Sequence, residues 1–362
     1  MHVPKVRTMP SGSKTFQALY PVITSPLSIV WQNETLAAEA LEPPDVIVEA
    51  EASFISAGTE LANYQGRDPD NYTPGSWNAY PFRPGYALVG RVLAAGSAAT
   101  FQPGDRIFCY GRHASHQVYR VQPASNPWAA AFPLPASLPA AQAAALRLAL
   151  IAFTAPQISS ISPGDTVAVF GLGLVGNLAA QLYRLAGARV IGLDPSSTRC
   201  ALAKRCGIDV VIDTAPHNQL EAVHALTGGK GAEITVDAVG DGRVVHVALK
   251  AAANFGQVML LGTPRTPQTD DVTALLREIH LRWLTVRGAL ECAIPTLSGH
   301  GIRFSTESNF ARLVAWASAG QLQIAPLISH TIQPQELDSA YQRLIREPET
   351  TWGVAIDWTR QG

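Results

Sequence analysis

The stretch Thr166–Asp194, TVAVFGLGLVGNLAAQLYRLAGARVIGLD, decides the fold. It opens with Thr166–Phe170, a continuous apolar run of strand length, which reads as a strand covered on both faces. A Gly171-Leu172-Gly173-Leu174-Val175-Gly176 turn follows, then a helical pattern that Gly187 closes as a C′ residue. Arg189–Asp194 reads as a second buried strand. Glycine-rich hexapeptides are common in ordinary turns. This one sits between a strand and a helix, and an acidic residue, Asp194, follows Gly176 by 18 positions at the tip of the next strand. Gly171 permits the tight turn, Gly173 lets the backbone approach a pyrophosphate, and Gly176 allows close helix–strand packing. Leu174 and Val175 begin the helix, whose free N–H groups and positive dipole end suit the phosphates. Asp194 can accept hydrogen bonds from the adenosine ribose and would repel a 2′-phosphate, which favours NAD. Arg199 could pair with that phosphate, so NADP stays open.

Outward from this stretch the cadence persists. A helix from Ser196 or Ser197 to Gly207, a strand Val210–Asp213, a helix from about His217 to Leu226 and a strand ending at Gly240 follow in turn. A helix from about Arg243 to Ala253 then leads to the strand Gln257–Gly262. Alternating strand and helix implies α/β architecture, a doubly wound parallel sheet. Upstream the texture is different. Val46, Val48, Ala50 and Ala52 alternate with polar residues, and YALVGRVLAAG and GDRIFCYG read as further short strands of a β-rich domain. Residues 1–15 read as a polar arm, Asp68–Pro84 as a loop, and Leu138–Ala155 as a helix with Ser137 as its N-cap. The helix NFARLVAWASAG and a last strand in WGVAIDW close the chain.

Composition narrows the function. At 362 residues, with 47% hydrophobic and 15% charged, the chain can build sizeable cores and is not dominated by disorder. With 27 basic and 28 acidic residues it lacks the positive excess of a nucleic-acid or anionic-membrane binder. Leu138–Pro156 is apolar but interrupted by Gln142 and Arg147, so no membrane span is expected. Met1–Lys14 has no apolar core of a secretory signal, and Cys109, Cys200, Cys206 and Cys292 form no disulfide framework. A reducing cytoplasm is therefore the expected setting.

Taken together, SPGDTVAVFGLGLVGNLAAQLYRLAGARVIGLDPSSTRCALAKRCG resembles the cofactor domain of the medium-chain dehydrogenase/reductase superfamily. PFRPGYALVGRV and FQPGDRIFCYG look like its catalytic-domain strands, and FISAGTELANYQG and RIFCYGRHA are most similar to the branch around bacteriochlorophyllide a dehydrogenase. The resemblance runs from about Leu41 to the C-terminus. It implies a GroES-like catalytic domain over 1–154 and 292–362, an inserted Rossmann domain over 155–291, and a ligand cleft between them. It also implies further cofactor contacts: Thr154 near the nicotinamide, Val239 and Gly240 on the adenine–ribose side, Leu261, Gly262 and Thr263 at the nicotinamide, and Gly288 and Ala289 closing its pocket. A strand late in that domain should lie at a sheet edge, through which such chains pair as homodimers or homotetramers.

Zinc-using relatives carry a Cys where this chain has Ala57, Gly-His-Glu where it has Gly85-Tyr86-Ala87, and a third ligand near Leu150. A catalytic zinc needs three donor side chains, so no catalytic zinc is expected. Cys109, His113 and His116 form a loose C-x3-H-x2-H that reads better as a buried thiol and structural histidines. Hydride transfer without a Lewis acid needs a hydrogen-bond donor aimed at the substrate oxygen. Tyr86, at the old zinc position, could serve as acid/base or merely fill the vacated metal site. Thr59 sits where the resemblance implies a hydroxyl that orients the substrate oxygen, and His113 could complete a proton path but reads better as a structural turn residue. An NAD-dependent alcohol dehydrogenase or ketone reductase for a small-molecule substrate is the leading reading. The alternatives are an NADPH-dependent quinone or enoyl reductase and a non-catalytic dinucleotide-binding subunit. Tyr64, Tyr72, Trp77, Tyr80 and Phe82 could form a lid or a packed loop, and His280, Trp283 and Glu291 could reach substrate or a subunit interface but read better as packing residues.

Overall fold

The computed structural model describes residues 14–264 and 267–360, so most of the expected N-terminal arm lies outside the described residues. The chain divides into two compact units. The first comprises the chain to Ala136, Ile332–Tyr341 and the chain from Ala355; the second comprises Ser137–Thr331 and Gln342–Val354. The second unit thus takes in residues 137–154 and 292–331, which the sequence reading assigns to the catalytic domain.

In the first unit, β1 (Thr15–Ser25) and β2 (Ser28–Ala37) form an antiparallel hairpin. Then come β3 (Asp45–Phe54), α1 (Ala57–Tyr64), β4 (Leu88–Ala95), β5 (Arg106–Cys109), β6 (His116–Arg120) and β7 (Ala131–Pro133). β3 is the hub: it pairs antiparallel with both β4 and β6, and eight of its ten residues are buried. Its alternation is therefore weaker than that of a strand with one wet face. No two-residue repeat marks β1, because Tyr20, Pro21, Val22 and Ile23 are buried in succession rather than alternately.

The second unit begins with α2 (Ala140–Ile158), an apolar helix whose buried residues run from Ala143 to Pro156 with one gap. Its length and apolarity would suffice to cross a membrane, but most of it is buried. Its N-cap is Pro139, not Ser137, and no side chain caps it. Proline disfavours helical backbone at Leu138, which a Ser137 N-cap would need as the first helical residue. The parallel sheet then alternates with helices: β8 (Thr166–Phe170), α3 (Leu174–Leu185), β9 (Arg189–Asp194), α4 (Ser197–Arg205), β10 (Val210–Asp213) and α5 (Gln219–Leu226). β11 (Ala232–Asp237), α6 (Gly242–Ala251), β12 (Ala252–Leu260), α7 (Val272–Leu281) and β13 (Thr285–Gly288) complete it. α8 (Thr306–Ser318) follows.

The six strands lie in the order β10-β9-β8-β11-β12-β13, all parallel. In order of appearance that is 3-2-1-4-5-6, the order of two mononucleotide-binding halves that diverge between β8 and β11. All five residues of β8 are buried, as a central strand covered on both faces requires. Finally β14 (His330–Ile332), α9 (Leu337–Arg346) and β15 (Val354–Asp357) close the chain, and β15 pairs with β3.

The turn between β8 and α3 admits no side chain at two points. Gly171 has φ +92°, a region that residues with a Cβ avoid, and a Cβ at Gly176 would collide with the Gly171 carbonyl oxygen. A Gly176→Ala variant should lose about 1–3 kcal/mol, the usual cost of overpacking, measured by urea unfolding. Unchanged stability would mean that α3 and β8 can separate without penalty.

Candidate functional site

Two constellations emerge, one in each unit. In the second unit, Gly173 stands at the N-cap of α3, and a Cβ built there would meet nothing within 4 Å. The backbone is therefore bare on the side where α3 presents its first N–H groups, which have no partner within the helix. Leu174 and Val175 are half-buried in this first turn. Such a surface accepts a phosphate against the main chain. One Asp194 oxygen accepts the Leu172 N–H at 2.7 Å and the other accepts the Ser196 N–H at 2.9 Å. The carboxylate thus ties the tip of β9 to the glycine turn. Arg199 approaches it at 3.8 Å. These residues fit a dinucleotide: a bare helix start for the pyrophosphate and a fixed carboxylate at the neighbouring strand tip for a ribose.

The other expected cofactor residues cluster at the carboxyl ends of the strands. Gly171 would clash with a Val239 methyl if it bore a Cβ, and Gly240 lies against the backbone of Gly262 and Thr263. Asp237, at the end of β11, accepts the N–H groups of Val239 and Gly240, and its backbone carbonyl accepts those of Leu261 and Gly262. Burial pushes the Asp237 carboxyl up, and the two N–H donors pull it back only in part. Ala289 donates to the Leu260 carbonyl, while Gly288 ends exposed β13. Thr154 is 1% exposed and its hydroxyl points back along α2 to the Leu150 carbonyl at 3.5 Å. Of the packing residues, Trp283 stacks on Phe255 with ring centroids 4.8 Å apart. Glu291 holds the buried Arg147 guanidinium through two bonds, one of 2.6 Å. His280 is exposed at the end of α7.

In the first unit, β3 ends at Phe54 and α1 begins at Ala57, with Ser56 as its N-cap. The Tyr86 hydroxyl donates to the Ser56 hydroxyl and lies 3.4 Å from that of Thr59. Three hydroxyls therefore meet at a half-buried point. Glu60 lies beneath it, fully buried. One oxygen accepts the Ser56 N–H at 2.7 Å; the other accepts the Tyr341 hydroxyl at 2.5 Å and contacts His113 Nε2 at 2.9 Å. His113 Nδ1 meets Ser53 Oγ at 2.8 Å, and that oxygen also accepts the Trp358 indole N–H.

His113 thus has both ring nitrogens engaged and is 1% exposed. It belongs to a buried network under α1 rather than to a path to water. Burial alone would raise the Glu60 carboxyl. The charge and hydrogen bond of His113, with the bonds from Tyr341 and Ser56, outweigh burial and hold it below its ordinary 4.5. Burial and the Glu60 charge push the Tyr341 phenol well above 10, so it stays a donor. Reading the sequence missed Ser56 and Glu60, although they stand four apart around a helix start, where a carboxylate can reach back to an N–H.

The zinc-ligand positions offer no donor set: Ala57 has no ligand atom and Tyr86 is engaged with hydroxyls. Among the described residues no group of three or more His, Cys, Asp or Glu side chains could hold a metal ion. Cys109 is buried with its thiol pushed up to about 12, and His116 stacks on Phe16. The aromatic loop is packed, with Tyr72 against Tyr80 and Trp77 against Phe82, while Tyr72 and Trp77 keep large exposed surfaces.

Comparison with known proteins places this geometry. The family model described as zinc-binding dehydrogenase matches residues 175–306, a stretch that includes neither Ala57 nor Tyr86. L-threonine 3-dehydrogenase of Bacillus licheniformis is 30% identical over 186 residues, 51% of this chain and 49% of that one. The chain spans about half the length of the first curated relatives it matches. The Symbiobacterium thermophilum enzyme of the same name is 25% identical over 333 residues, 83% of this chain and 87% of that one. The crystal structure of galactitol-1-phosphate dehydrogenase from Escherichia coli superimposes with a TM-score of 0.76 at 19% identity, over 94% of this chain and 99% of that one.

The Glu60 shift sets a pH dependence. A carboxylate held below its ordinary value stabilises the fold fully above about pH 4.5, and that contribution is lost as pH falls through the lower folded value. Glu60→Gln should therefore cost about 3 kcal/mol near neutrality, the scale of breaking a buried pair. The gap from the parent should close as pH drops below 4.5 in chemical unfolding. A gap independent of pH would show that the Glu60 charge is not what His113 and Tyr341 hold.

Proposed function

The chain belongs to the medium-chain dehydrogenase/reductase superfamily, and from that premise we propose that it is a nicotinamide-dependent oxidoreductase that interconverts an alcohol and a carbonyl compound, with NAD as the preferred nucleotide. The observation that carries this reading is the glycine turn at the start of α3, with Asp194 fixed beside it. Gly171, Gly173, Leu174, Val175 and Gly176 would hold the pyrophosphate, and Asp194 a ribose. The bound nucleotide supplies or accepts the hydride at the substrate carbon.

This chain's own part in the chemistry is the proton. In reduction, the carbonyl carbon gains the hydride and its oxygen gains the Tyr86 hydroxyl proton; in oxidation both leave by the same route. Ser56 and Thr59 hydroxyls flank the phenol, so they can hold it in place, orient the substrate oxygen and relay to the phenolate a proton that solvent replaces. Glu60 fixes the Ser56 main chain, and with it the acceptor of the Tyr86 bond. The residues at the zinc-ligand positions give no support to a Lewis-acid step. Exposed β13 at the end of the sheet supports a homo-oligomer built by strand addition, and four unpaired cysteines suit a cytoplasmic setting.

Two measurements test the reading. Calorimetry should find one nicotinamide nucleotide bound per chain, and turnover should be sought on a panel of alcohols and carbonyls. Tyr86→Phe should lower turnover by roughly two to four orders of magnitude and leave nucleotide affinity unchanged. Full turnover in that variant removes Tyr86 from the mechanism; absence of nucleotide binding removes the proposal.

A further inference from the structure

The edge of the proposed ribose site holds a second carboxylate. Ser196, the N-cap of α4, accepts the Arg199 N–H on its hydroxyl oxygen at 3.2 Å and donates the same hydroxyl to Glu349. Its own N–H goes to Asp194 at 2.9 Å. Ser196 is therefore bracketed by two acids from distant parts of one unit, Asp194 at the tip of β9 and Glu349 in the segment after α9. Asp194 is 1% exposed, whereas Glu349 is exposed. The capping bond to Arg199 needs only the serine oxygen, so α4 does not require Glu349 for its cap.

We propose that Glu349 sets the selectivity of this site against nucleotides that carry a 2′-phosphate; this rests on the nucleotide reading above. Asp194 and Arg199 alone form a pair whose formal charges cancel, −1 and +1. At 3.8 Å that pairing is loose, which leaves the guanidinium able to turn to a phosphate. Glu349 adds a further −1, so the three groups sum to −1. A ribose diol, which donates hydrogen bonds, suits that acceptor-rich rim. A 2′-phosphate, carrying close to two negative charges, is repelled by it.

The test uses fragments that lack the nicotinamide: ADP-ribose and its 2′-phosphate, titrated by calorimetry into the full chain at low salt. The parent should favour ADP-ribose. Glu349→Gln keeps the acceptor for Ser196 and removes only the charge. It should tighten the 2′-phosphate form by about tenfold, the scale of one unit charge beside a dianion in a partly solvated site, with ADP-ribose changed less than about twofold. The gain should shrink at high salt and disappear when Arg199→Ala is added. Glu347→Gln, the same charge change two residues away, should leave the ratio as in the parent. The inference is overturned if Glu349→Gln leaves the ratio unchanged or tightens both fragments equally, if Glu347→Gln has the same effect, or if the parent favours the 2′-phosphate. A parent that binds neither fragment nor the whole nucleotides overturns the nucleotide reading itself.

Discussion

Much of the second unit follows from one steric constraint: α3 must start at the very end of β8, so close that a Cβ at position 176 would overlap the Gly171 carbonyl. That closeness brings the first turn of α3 against the central strand. It leaves bare main chain at Gly173, at the helix end whose first N–H groups have no partner within the helix. A dipole end and several donors then point at one place without any charged side chain. Asp194 completes the arrangement by binding the Leu172 N–H, so the turn is held from the neighbouring strand as well as from its own.

The first unit solves a different problem with a buried charge. Glu60 is taken out of water at a cost of several kcal/mol, which only a full set of partners can offset. It has them: His113, Tyr341 and the Ser56 N–H, with Ser53 and Trp358 completing the histidine's surroundings. These partners come from β3, α1, α9, the loop before β6 and the chain after β15, so the carboxylate fastens together parts of the sequence that are far apart. The result above it is a rigid helix start on which Ser56 and Thr59 face Tyr86.

What could be read beforehand follows from how local each signal is. The β8–turn–α3–β9 unit was legible because its glycines, its apolar strand and Asp194 are all near neighbours in sequence. The meeting of Tyr86 with Thr59 was reached through resemblance alone, since 27 residues separate them and nothing local joins them. His113 was seen as a histidine near the site, but its burial depends on Glu60 and Ser53, more than 50 residues upstream. Glu349 carried no signal at all: it sits in the segment PETT after a helix, 153 residues from its serine. The Ser137 cap failed for a local reason, because Pro139 displaces the helix start.

The word zinc in the matching family description and the donor-poor site are compatible for a structural reason. The match covers residues 175–306, within the parallel-sheet unit, whereas the positions that the resemblance implies for zinc ligands, Ala57, Tyr86 and the neighbourhood of Leu150, all lie before it. The two parts can therefore diverge separately. Conserving the dinucleotide turn demands glycine at fixed points, for steric reasons independent of what polarises the substrate. The proposed reaction, run without a metal, calls for a donor that stays protonated at neutral pH and is held in place by hydrogen-bond partners. A phenol, ordinarily near 10, meets the first condition. Ser56 and Thr59 lie beside it as hydrogen-bond partners.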